Sequence, residues 1–149
     1  MDIIERASPN MNDRPAGTAI DMVILHYTGM KTGKAALDRL CDPNAKVSAH
    51  YLIDEDGTTY RLVAENHCAW HAGFSSWLGA ADINDRSIGL EIVNPGHEFG
   101  YRAFPEAQME AIEKLLTEIL DRHRVAPARV VGHSDIAPTR KQDPGELFN

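Results

Sequence analysis

The sequence predicts an α/β domain, a mixed central β-sheet flanked by helices, and three observations carry that expectation. "MVIL" at residues 22–25 is an unbroken apolar run of the kind found in strands buried on both faces. "VSAHYLIDEDGTTYRLV" holds two β-rich runs separated by an Asp56-Gly57 turn signal, which reads as an antiparallel hairpin. Segments with helical apolar spacing lie between the strand candidates, and that interleaving builds one layered unit.

The elements follow in order. The lead "SPNMNDRPAG" carries proline and asparagine without a period and reads as irregular chain. A strand then covers 20–28. Residues 32–42 form a short helix, with Ala35, Ala36, Leu37 and Leu40 on helical spacing and a stop before Pro43. The hairpin pairs 47–53 with 58–63. From Ala64 to Arg86 no period persists, although both tryptophans fall there, and a loop of that length in a compact domain is usually functional. Residues 87–94 alternate, with Ile88, Leu90 and Ile92 on one face and Ser87, Gly89, Glu91 and Val93 on the other. Pro105 opens a helix running to His123, whose apolar positions Met109, Ile112, Leu116 and Ile119 recur every three or four residues. Arg122, His123 and Arg124 suit the negative end of its dipole. "ARVVGHSD" returns to a short strand, and the tail "IAPTRKQDPGELFN" is loop.

At 149 residues the chain has the size of one domain, spanning 1–149. Its 43% hydrophobic and 25% charged residues are ordinary for a folded protein and exclude a disordered chain. With 22 acidic against 15 basic residues, the net charge of −7 offers no broad footprint for nucleic acid or an anionic membrane. The start "MDIIERASPN" has acids where a signal peptide has a basic region, and no apolar run follows. The expected location is therefore the cytoplasm, or the periplasm if a leader has been removed, and the expected state is a monomer with no membrane insertion. Cys41 and Cys68 lack CxxC spacing and read as free thiols.

Two of the 7 histidines stand where strands end, His26 after "MVIL" and His133 after "RVVG". Open α/β sheets keep their sites at strand ends. If the two strands are neighbours, both imidazoles meet at one edge, and a carboxylate would complete a zinc site with one open position. Asp135 and Asp143 both follow His133; Asp143 has the longer reach, while Asp135 suits a supporting or turn position. A lone strand histidine is more often a hydrogen-bonded core residue, so the reading depends on the set. Glu91 lies in mid-strand opposite the apolar face, either solvated or ion-paired, or placed as a general base beside metal-bound water. Lys141 is either a solvated loop lysine or a cation for a developing oxyanion.

Together "VILHYTG", "VSAHYLID", "AWHAG", "RSIGLEIVN" and "GHSDIAPTRKQDPG" resemble the zinc-dependent N-acetylmuramoyl-L-alanine amidases of the type 2 family, which includes the peptidoglycan recognition proteins. These stretches keep the family's order and span residues 22–145. The resemblance implies His26, His133 and Asp143 as ligands of a Zn²⁺ cofactor, with Asp135 in support. It implies Glu91 and Lys141 as catalytic residues, and peptidoglycan fragments (muropeptides) as the partner, cut between the muramyl lactyl group and L-alanine. His50 is expected to be a buried structural residue. Trp70, His71, Trp77 and Asn84 are expected to border the substrate groove, although each tryptophan could equally be core packing. Such relatives commonly continue beyond the metal aspartate, so the resemblance implies a short member or a C-terminal piece outside this sequence. Two rival functions stand beside hydrolysis: a non-cutting peptidoglycan-binding module, whose members typically lose a ligand, and a zinc peptidase acting on ordinary peptides, for which an HExxH helix is absent.

Overall fold

The computed structural model describes all 149 residues. Its sheet is built outward from two buried strands, β3 (Met22–Tyr27) and β7 (Ser87–Ile92), which pair in parallel. β8 (Val130–Gly132) joins the free side of β3, also in parallel. On the other side β4 (Tyr51–Ile53) runs parallel to β7 and antiparallel to β5 (Thr59–Arg61). β1 (Ile3–Glu5) closes that edge parallel to β5, giving the order β1-β5-β4-β7-β3-β8. The mixed sheet and the antiparallel hairpin are as the sequence predicts.

Alternation along the central strands sorts side chains to two faces. Val23, Leu25, Tyr51, Ile53, Ile88, Leu90 and Ile92 point to one face and pack on α4 (Glu106–His123), the long helix after the single-turn α3 (Gly96–Phe99), through Ala111, Ile112, Leu115 and Ile119. On the other face, Leu52 packs with Ala36, Leu37 and Leu40 of α1 (Gly33–Leu40), while Met22, Ile24 and Val131 pack with Ala72, Ile83 and Ile136. Thr32 caps α1 by accepting the Ala35 amide at 3.1 Å, where the polar residue before the apolar spacing belongs.

Three expectations need correction. The lead is not wholly irregular, because it contains β2 (Met11–Asp13), with β1 just before it. The stretch 64–86 contains β6 (His67–Ala69), antiparallel to β2, and a short helix α2 (Ile83–Arg86). These elements are three or four residues long, too short to print a period on the sequence. The buried stripe of α4 is also displaced: Ala111, Ile112, Leu115 and Ile119 are inside with Gln108, whereas Met109 and Leu116 flank the core. Gln108 is fully buried because its amide nitrogen donates to the Ile53 and Val93 carbonyls at 3.0 Å each. A polar side chain tying two strand ends sits where an apolar spacing rule cannot see it.

Candidate active site

Strand register places the chemistry-bearing residues. His26 on β3 is paired with Glu91 on β7, and Leu25 with Gly132 on β8, so His133 follows at the level of His26. Paired residues of a parallel ladder share a face, and here that face is the one opposite α4. Past β8 the chain turns into the short helix α5 (His133–Ile136), where the Asp135 carboxylate accepts the Gly132 amide at 2.7 Å and so serves as a cap. Asp143 returns over β8 on the tail. That approach requires Gly132, since a Cβ there would lie 2.8 Å from Pro144 Cδ.

His26 Nδ1, His133 Nδ1 and Asp143 Oδ2 form a nearly equilateral triangle with sides of 3.0, 3.2 and 3.3 Å. All three residues are buried. Their hydrogen bonds fix where the protons are. The Ala72 carbonyl accepts from His133 Nε2 at 2.8 Å, which leaves His133 Nδ1 with its lone pair. Ser87 Oγ donates its one proton to the Ile83 carbonyl at 2.7 Å and therefore accepts from His71 Nε2 at 3.2 Å. His71 Nδ1 is then an acceptor for His26 Nε2 at 2.9 Å, and His26 Nδ1 is bare as well. Burial is the main cause that holds His26 and His71 below the ordinary imidazole range and favours neutral rings.

Two nitrogen lone pairs and a carboxylate thus face one another with no proton between them, an arrangement that a bound metal cation relieves. The spacing also fits: tetrahedral ligands about 2.0–2.1 Å from a zinc ion lie about 3.3 Å apart. The three residues could hold a metal ion, and the neutral imidazoles and single charge are the chemistry of a borderline-soft divalent cation.

A family model described as N-acetylmuramoyl-L-alanine amidase matches residues 16–146. The chain belongs to the N-acetylmuramoyl-L-alanine amidase family. Amidase AmiD of Escherichia coli is 36% identical over 98% of this chain and 58% of its own length. The 1,6-anhydro-N-acetylmuramyl-L-alanine amidase AmpD of Haemophilus influenzae is 31% identical over 95% of this chain and 85% of its own length. Among solved structures, an AmpD derivative superposes with a TM-score of 0.88 at 30% identity, covering 99% of this chain and 89% of that one. The E. coli AmiD complex with anhydro-N-acetylmuramic acid-L-Ala-D-gamma-Glu-L-Lys gives 0.80 at 36% identity, covering 91% and 57%. The chain therefore spans little more than half of AmiD and most of AmpD.

Within this amidase fold the triangle lies in a cleft of about 300 Å³, which Tyr27, Arg39, Trp70, Glu91 and Lys141 also line. Glu91 Oε2 is buried without a partner. Burial, and then the charge of Asp143, push the Glu91 carboxyl well above its ordinary range, with Lys141 and Arg39 opposing. Lys141 is exposed at the cleft edge. Trp70 borders the cleft, with its indole N–H donating to Asn12 Oδ1 at 2.7 Å. His71 lies beneath, between His26 and Ser87. Trp77 does not line the cleft; it packs on the Met22, Ile24 and Val131 cluster. Asn84 does not line it either: its Oδ1 accepts the His71 and Ala72 amides. His50 is fully buried and held down to about 4, chiefly by burial, with Nδ1 accepting the Gly89 amide. Arg39 carries no signal in the sequence, because an arginine on a short helix resembles any solvated one; Tyr27 simply follows His26 at the end of its strand, into the cleft. No helix is long and apolar enough to cross a membrane.

Proposed function

We propose that this chain hydrolyses the amide bond between the lactyl group of N-acetylmuramic acid and the L-alanine of the stem peptide, acting as a single zinc amidase catalytic domain on soluble muropeptides. The observation that carries the reading is the triangle of two bare imidazole nitrogens and one carboxylate oxygen beside Glu91, which has one buried, unpartnered carboxylate oxygen. His26, His133 and Asp143 would hold zinc. When bound, zinc supplies Lewis acidity that polarises a carbonyl and acidifies water.

Glu91 takes the proton from the attacking water and delivers it to the leaving amine. Its raised pKa suits both halves of that transfer, because a base poised nearer neutrality is also an adequate acid. Lys141, at the cleft edge, offsets the negative charge that develops on the carbonyl oxygen. Trp70 gives an apolar wall for a sugar face or the stem peptide. The names of the AmpD relatives and the ligand in the AmiD complex favour 1,6-anhydromuropeptides over intact wall.

The test is to load the purified protein with zinc, incubate it with anhydromuropeptides and identify products by mass spectrometry. Release of L-alanyl stem peptide is expected. Normal muropeptide binding without release would overturn hydrolysis in favour of a binding module, and cleavage of plain peptides at a similar rate would overturn the substrate class.

A further inference from the structure

The outer nitrogens of both histidines in the triangle depend on one dipeptide. His26 Nε2 donates to the His71 ring at 2.9 Å, and His133 Nε2 donates to the carbonyl of the next residue, Ala72, at 2.8 Å. We propose that His71-Ala72 is a shared bracket, pinned by Asn84, that fixes the tautomer and ring orientation of both metal-binding histidines. His71 and Asn84 are then positioning residues. This deepens the metal-site reading above and rests on it.

The bracket is itself held from three sides. Asn84 Oδ1 accepts both backbone N–H groups of the dipeptide, at 3.2 and 2.9 Å. The segment carrying Asn84 is anchored in turn by the half-buried Arg14 guanidinium, which donates to the Asn84, Asp85 and Ser87 carbonyls at 2.9–3.2 Å. Ser87 closes the circuit by accepting from His71 Nε2. Beneath the ring, β7 carries Gly89, where a Cβ would come within 2.5 Å of His71 Cγ. The imidazole therefore rests against bare backbone and has no room to turn. Partners that donate to or accept from the far nitrogen of a ligand histidine set which nitrogen is free for metal, and losing one typically weakens metal affinity about 10–100-fold.

A shared bracket differs from two separate supports in one respect: a change at Asn84, which touches neither ligand, must disturb both. Long-range ¹H–¹⁵N correlation spectra of the metal-free wild-type protein are expected to show His26 and His133 as Nε2–H tautomers. Asn84→Ala is expected to shift both, and His71→Phe, which keeps a ring but removes the acceptor, to shift His26 while leaving His133. Chelator competition is expected to show zinc held about 10–100-fold more weakly by both variants, and restored by Asn84→Asp, which keeps the accepting oxygen. An Nδ1–H tautomer at either histidine of the wild type overturns the bracket, and this measurement needs no variant to fold. Wild-type zinc affinity in both variants overturns it too. Wild-type protein with the stated tautomers but no zinc affinity would instead overturn the metal reading and leave the bracket standing.

Discussion

Glu91 carries a buried oxygen with no hydrogen-bond partner and a carboxyl raised by burial and by Asp143. A carboxyl raised in the folded state favours folding while protonated, and that contribution is lost as pH rises from the unfolded value through the folded one. The metal-free protein is therefore expected to lose stability above about pH 4.5. Glu91→Gln removes the loss: thermal melts at pH 7 should show a higher midpoint for the metal-free variant than for the wild type. The same substitution is expected to retain zinc by metal analysis while turnover falls about 10²–10⁴-fold, the size of a general-base contribution. Lys141 is exposed at the cleft edge. Lys141→Ala is expected to lower kcat about 10²–10³-fold with the melting midpoint unchanged.

At the scale of elements, two contacts decide whether the site assembles. The Asp143 segment crosses β8 at Gly132, and Gly132→Ala is expected to push it away, weakening zinc binding in a chelator competition while circular dichroism shows the fold retained. On the opposite face, α4 covers β3, β4 and β7 through fully buried Ile112, Leu115 and Ile119. Ile112→Ala is expected to cost about 2–5 kcal/mol in denaturant unfolding, as for other large-to-small changes in a filled core. These same elements explain what the sequence discloses. β3 and β7 are legible because buried parallel strands must be apolar or strictly alternating, and α4 because eighteen residues repeat the helical period five times over. His26, His133 and Glu91 are legible because polar residues interrupt those patterns at strand ends or in mid-strand. β1, β2, β6 and α2 are not, since their stability comes from partners far along the chain. The contacts of Asn84, expected at the groove, and of Ala72 are illegible for a related reason: each is made through a backbone group or an amide acceptor that many residues could offer.

For the whole molecule, α4 is tied to the sheet by Glu65 as well as by its apolar stripe. Glu65 accepts from Tyr51 on β4 and from Arg122 and His123 at the end of α4. Burial alone would raise its carboxyl, but the bonds from Arg122, Tyr51 and His123 reverse this and bring it down to about 2. A lowered carboxylate contributes stability above its unfolded value near 4.5 and loses it as pH falls towards 2, here about 3 kcal/mol. Glu65→Gln is expected to be less stable than wild type at pH 7, with the gap closing by pH 2 in urea titrations.

The pairing of His26 with Glu91 has a consequence for how such a protein can change. Both cleft positions are addresses in the reading frame of the sheet, so one inserted or deleted residue within either strand would turn its cleft-facing side chain to the α4 face. Substitutions on α1 or at Met30 and Val47 carry no such penalty, since they rewrite the cleft wall and leave that frame alone. New specificities are therefore expected to arise at the rim of this fold by loop exchange, with the two central strands passed on at constant length.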